Sequence, residues 1–176
     1  MKKVMIITIF AALMMISSGA VAQTASGTLT VTATVNGSIQ LVFNSDAAGV
    51  ALSSGAGTNA ATLAFGNVSA FGAVAAGVVR TTAANSFTVS SAVDVLVSET
   101  NSASANYKLT AQLGTADAVN SWAVGGVAVT SAAAAQITAT GAYGANSNFP
   151  VAITVPFTTA SGTLISNTIN YTATAN

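Results

Sequence analysis

The chain has 176 residues, of which four are Lys or Arg, four are Asp or Glu, and none is His or Cys. Only 5% of the residues are charged and 52% are hydrophobic, against roughly 25% charged in ordinary globular domains. This leaves no basic surface for nucleic acid, no thiol or imidazole for nucleophilic catalysis or zinc, and no cysteine for a disulfide or a lipid anchor.

In chain order, residues 1–22 read as a secretion signal. Lys2 and Lys3 are followed by an apolar run from Val4 to Ile16, interrupted only by Thr8, then by Ser17-Ser18-Gly19-Ala20-Val21-Ala22. The run is shorter than the about 20 residues a membrane span requires, and no second long apolar run follows, so no membrane span is expected after the signal. Cleavage after Ala22 leaves Gln23–Asn176, expected to pass through the periplasm and end secreted, extracellular or at the cell surface. In that remainder the charges are Arg80 and Lys108 against Asp46, Asp94, Glu99 and Asp117. A surface made soluble by Ser, Thr and Asn lacks the repulsion that keeps copies apart, which suits a protein that assembles with itself.

Residues 23–37 read as an N-terminal extension and 38–176 as one domain. From Leu29 to Phe43 every odd position is apolar or glycine, and the even positions are polar except Val42. A period of two held this long is a strand signal, because successive side chains point to opposite faces. Strands are expected over Thr28–Val35 and Ser38–Asn44, or as one strand bent at Asn36-Gly37. Burying Leu29, Val31 and Val35 is worth roughly 1.5–3 kcal/mol each, together comparable to the about 5–15 kcal/mol that holds a whole domain folded. The threonine row Thr28, Thr30, Thr32, Thr34 is the wet face of the same strand. It would suit an ice-binding surface only if repeated on neighbouring strands, and the sequence shows no repeat of about 15–30 residues that would do this.

Further strands are expected at Thr62–Phe65, Ser86–Ser98, Asn106–Leu113, Gln136–Thr140 and Thr168–Thr174. A hairpin is expected over Trp122–Val129, turning at Gly125-Gly126. Val151, Ile153, Val155 and Phe157 face one way, and Pro150 and Pro156 beside them fit an edge strand or a bulge better than a central strand. The Ala, Gly and Ser-rich stretches 46–61 and 67–85 are long for loops and could hide strands at Val50–Leu52 and Val74–Val79. About nine short strands in a chain of this length imply an all-β fold, an immunoglobulin-like β-sandwich with an N-terminal donor-type strand. A closed barrel is the alternative.

The acids are scattered. Asp94 and Glu99 fall on opposite faces of a regular strand, and Asp46 and Asp117 sit in turns where a short side chain bonds its own backbone. No catalytic residue, no metal site and no cofactor is expected. Arg80 reads as solvated or paired with Asp94 or Glu99, and Trp122, the only tryptophan, as core.

Thr28-Leu-Thr-Val-Thr-Ala-Thr-Val35, the later motif Leu63-Ala-Phe-Gly-Asn-Val68, and the closing segment from Gly162 to Asn176 with its Thr/Tyr alternation resemble the secreted spore coat protein U and fimbrial-subunit-like domains. Two features depart from that pattern: Ser38 stands near where members carry a cysteine, and Tyr171 is sixth from the end where pilins place a penultimate aromatic. The resemblance implies an incomplete sandwich that polymerises by donor-strand exchange into a fibre or coat. It also implies the chain itself as principal partner, with a periplasmic chaperone and an outer-membrane assembly protein as further ones. On this reading Leu29, Val31, Ala33 and Val35 form the donor strand, and Ile39, Leu41, Phe43, Ile169 and Tyr171 the acceptor groove. The arm Gln23–Val35 would reach about 40 Å when extended, about the width of a domain of this size. The other expectation is a monomeric binding module for a carbohydrate or a surface partner.

Overall fold

The computed structural model describes residues 26–176; the expected signal and cleavage site lie outside the described residues. Within them the fold is all-β, and every ladder is antiparallel. The strands are β1 (Ser38–Ser45), β2 (Val79–Thr82), β3 (Ser86–Ser91), β4 (Val93–Thr100), β5 (Tyr107–Leu113), β6 (Ser121–Val124), β7 (Val127–Val129), β8 (Ala135–Gly141), β9 (Asn146–Asn148), β10 (Val151–Pro156) and β11 (Ile169–Ala175). They form three sheets, ordered β1-β4-β9, β2-β3-β10-β6-β7 and β11-β5-β8.

Alternation decides the faces. In β4 the residues Val93, Val95 and Val97 are buried, and in β5 Tyr107, Leu109, Ala111 and Leu113 are; their polar neighbours point outward. Val95 and Val97 pack against Tyr107 and Leu109 in one core, which sets the first sheet over the third as in a β-sandwich. A second core gathers Phe87, Val89, Trp122, Val124, Val151, Ile153 and Val155 with Ala111 and Leu113. The first and second sheets join end to end, since β3 runs into β4 across Ala92 and β9 into β10 across Phe149-Pro150. The Phe149 N–H donates to the Val93 carbonyl across that junction (2.9 Å).

Several expectations require correction. Residues 26–37 form no strand, and Leu29, Val31 and Val35 are 88%, 79% and 75% exposed. Alternation supplies a face, whereas a strand also needs a partner for its backbone. Thr62–Phe65 is not a strand but contributes one bridge, Ser54 to Thr62. Ser86–Ser98 is two strands in two sheets, broken at Ala92. Its Ser91 is buried and accepts the Val50 N–H at 2.7 Å, so the polar residue on the inner face holds the 46–61 stretch in place.

Val151–Pro156 is not an edge strand. It lies between β3 and β6, and its prolines are tolerated because they stand at its ends, leaving residues 151–155 free to donate. The Gly125-Gly126 hairpin is present, with both glycines at positive φ (56° and 80°). Arg80 makes no ion pair among the described residues. Its guanidinium donates to the carbonyls of Ser69 (2.9 Å) and Gly72 (2.7 Å), pinning the 67–72 loop against β2, a strand that low sequence complexity concealed.

Candidate functional site

β1 is bonded along one edge to β4, β11 along one edge to β5, and no ladder joins β1 to β11. Among the described residues neither outer edge carries a further strand, and between the two edges lies a groove of about 650 Å³. It is lined by Ile39 to Phe43 of β1, Asn170 and Tyr171 of β11, and Gly57, Thr58 and Asn59 from the 46–61 loop.

The loop caps one end. The Phe43 N–H donates to the Thr58 carbonyl (2.8 Å), and the Phe43 carbonyl accepts from the Gly57 N–H (2.7 Å). Both groups of Phe43 therefore point away from β4. Peptide direction alternates along an antiparallel strand, so Ile39 and Leu41 also present N–H and C=O to the groove, while Ser38, Gln40, Val42 and Asn44 face β4. The hook is self-supporting, since the single Thr58 hydroxyl proton lies between the carbonyls of Gly55 (2.7 Å) and Ala60 (2.8 Å) and can be given to either.

Below the groove lies the core of Val95, Val97, Tyr107 and Leu109, each fully buried, with Leu41, Phe43, Tyr171 and Ala173 as a partial cover. The Phe43 and Tyr171 rings meet edge to face at 5.1 Å and 69°, the geometry aromatic quadrupoles prefer. Burial pushes the Tyr171 phenol above its ordinary value. On β4, β5 and β10 the inner residues are buried; on β1 and β11 they are only half-covered, and Ile39 is 39% exposed. The shortfall falls where one more strand would lie, and free edges of this kind are ready templates for pairing.

Of the residues singled out from sequence, Ile39, Leu41, Phe43 and Tyr171 line this groove, brought together from opposite ends of the chain. Ile169 is inward on β11 but packs on the other core. Leu29, Val31, Ala33 and Val35 are exposed. Sequence reasoning missed the Gly57–Asn59 hook. Its one signal is the run Gly55-Ala-Gly57-Thr58, where Gly57 takes a positive φ of 77° and so shapes the turn that reaches Phe43.

A smaller cavity of about 270 Å³ lies among Thr115, Asp117, Asn120, Thr159, Leu164 and Asn167. Two polar atoms of its lining residues, Asn120 Oδ1 and Thr159 Oγ1, are buried away from solvent without a hydrogen-bond partner. Beside it Asp117 is held at a pKa of about 2. Burial acts to raise that value, but donation from the Asn120 N–H, Trp122 Nε1, Asn120 Nδ2 and the Val119 N–H outweighs it. Among the described residues no cluster of acids could hold a metal. Asp94 instead accepts from the side-chain amides of Asn146 and Asn148 across β4 and β9, and Asp46, just after β1, accepts from that of Asn148. No protein-family model, no curated protein and no solved structure matches the chain.

Proposed function

We propose that this chain is a structural subunit of a secreted pilus-like filament or surface coat, assembled non-covalently by β-strand exchange. One observation carries the reading: a groove between two strand edges that carry no further strand among the described residues, bridged only at Phe43, in a chain that also carries an exposed arm with the period-two apolar face such a groove accepts. An added strand gains backbone hydrogen bonds from both edges and places alternate side chains into the groove. Leu29, Val31, Ala33 and Val35 of one copy would cover Leu41, Tyr171 and the core beneath them in the next. Such a head-to-tail contact does not close on itself and generates open fibres. The resemblance to spore coat protein U and fimbrial subunits supports the same role, with export by the expected signal. The mechanism is one of packing and pairing and involves no catalysis.

A second reading draws on the smaller cavity. On a monomeric binding module, the exposed hydroxyls of Thr115, Thr163 and Ser166 in that cavity's lining would meet those of a carbohydrate. The two readings part on electron microscopy of the chain from Gln23, beside gel lanes run unboiled and boiled. Thin fibres, and a ladder that collapses on boiling, are expected; removal of Gln23–Val35 abolishes both. A single monomer band without fibres moves the binding module ahead, and native-looking fibres from the shortened chain sink strand exchange.

A further inference from the structure

Only Asn36 and Gly37 separate the arm from β1. Asn-Gly between two alternating runs is the strongest short signal for a two-residue hairpin. Such a hairpin would return the arm along the free edge of β1, into the chain's own groove. The parity of the sequence opposes it. Opposed residues in an antiparallel pair share a face, and a slip of one residue exchanges the faces entirely. A turn at 36–37 sets Val35 opposite Ser38, Ala33 opposite Gln40 and Val31 opposite Val42. Thr34, Thr32 and Thr30 then fall over Ile39, Leu41 and Phe43. The threonines would line the apolar groove, and Leu29 and Val31 would face water. A turn at Gly37-Ser38 leaves the mismatch unchanged, because Val35 then meets Gln40.

Hydrogen-bond direction gives the same answer. Ser38 and Gln40 turn their N–H and C=O toward β4, since Phe43, of the other parity, points its own at Gly57 and Thr58. A three-residue loop would correct the parity, but in its common form it ends on a left-handed residue. Spanning 36–38, it needs Ser38 in that conformation. Ser38 is instead in the β1–β4 ladder opposite Thr100, with the two hydroxyls 2.7 Å apart. Spanning 35–37, it must close on Ser38, whose backbone groups face β4. No residue from 35 to 38 has a positive φ. Gly37 lies close on the loop after β4, where a Cβ would stand 2.8 Å from the Asn101 carbonyl oxygen.

Resting on the strand-exchange reading above, we infer that the junction Val35–Ser38 is a register lock: it denies the groove to the chain's own arm through the two- and three-residue turns that Asn36-Gly37 favours, and so reserves it for the arm of a second copy. A second copy's arm is free of the junction and can choose the register that lays Leu29, Val31 and Val35 over the core.

Insertion at the junction tests this in the chain from Gln23. One added glycine between Asn36 and Gly37 makes every two-residue turn pair odd with odd positions; two added glycines restore the parent parity. The polymer fraction, read by light scattering after size exclusion, is expected to fall several-fold with one glycine and to stay near the parent's with two. Equal polymer in all three, or a loss that grows steadily from one glycine to two, overturns the lock, the latter because it is what mere slack would cause. A synthetic peptide of residues 26–37, added to the full chain carrying Leu29→Asp and Val31→Asp, separates this from the reading beneath it. Peptide binding is expected. If the peptide does not bind, strand exchange falls and the lock with it. If it binds but the parent chain is a monomer, the arm occupies its own groove and the lock alone is wrong.

Discussion

Asp117 is the residue whose environment departs furthest from what its neighbours in sequence suggest. A turn acid that bonds its own backbone was legible in Thr115-Ala116-Asp117, and the Val119 (3.0 Å) and Asn120 (2.8 Å) N–H groups do donate to it. The Trp122 indole N–H, at 2.8 Å from Oδ2, was not, because it depends on how β6 enters the sheet. The bond also explains how Trp122 can be buried as core with its one polar atom satisfied. Donors to the ionised carboxylate lower its pKa from 3.8 to about 2. The folded value lies below the unfolded one, so the stability it contributes is present above about pH 4 and is lost as pH falls toward 2. Trp122→Phe removes one of the donors. The Asp117 carboxyl, followed by NMR, should titrate at higher pH in that variant, and acid unfolding should begin earlier. An unchanged titration would mean that the indole contributes nothing to the turn.

Single elements were legible where each is closed by its own alternation, and less so where a neighbour decides. β4, β5 and β11 follow the sequence pattern almost residue for residue, since burial of every second side chain is enough to specify a face. What alternation cannot carry is adjacency. The central place of β10, the break at Ala92 and the existence of β2 and β9 all depend on which strand lies alongside. The groove shows the same division: Ile39, Leu41, Phe43 and Tyr171 could be read as inward-facing, but the Gly57–Asn59 hook could not, since it is made of backbone. Gly141 is an adjacency of this kind. It closes β8 against Tyr107, and a Cβ there would overlap the ring. Tyr107 is fully buried and cannot move aside, so Gly141→Ala should cost about 1–3 kcal/mol by overpacking, read as a lower urea midpoint with an unchanged slope. A neutral result would mean that β8 shifts freely on β5.

For the whole molecule, the scarcity of charge joins composition to assembly. Outside the expected signal there are six charged side chains, and none of them lines the groove. The contact proposed between copies is therefore apolar side chains plus backbone pairing between edges, with almost no Coulomb component. At about 1 M salt the screening length shrinks to about 3 Å, which would dissolve an assembly held by exposed ion pairs. Strand exchange should be indifferent to it, and excluded salts such as sulfate should strengthen it by favouring apolar burial. Fibres of the chain from Gln23, incubated in sodium chloride up to about 1 M and sedimented, should remain in the pellet at a constant fraction. The Leu41→Asp variant, whose carboxylate would have to be buried against Tyr171 without a partner, should leave the pellet at every salt concentration. If sodium chloride releases the parent subunits while Leu41→Asp still sediments, the copies are joined through some other surface and the groove is not the contact.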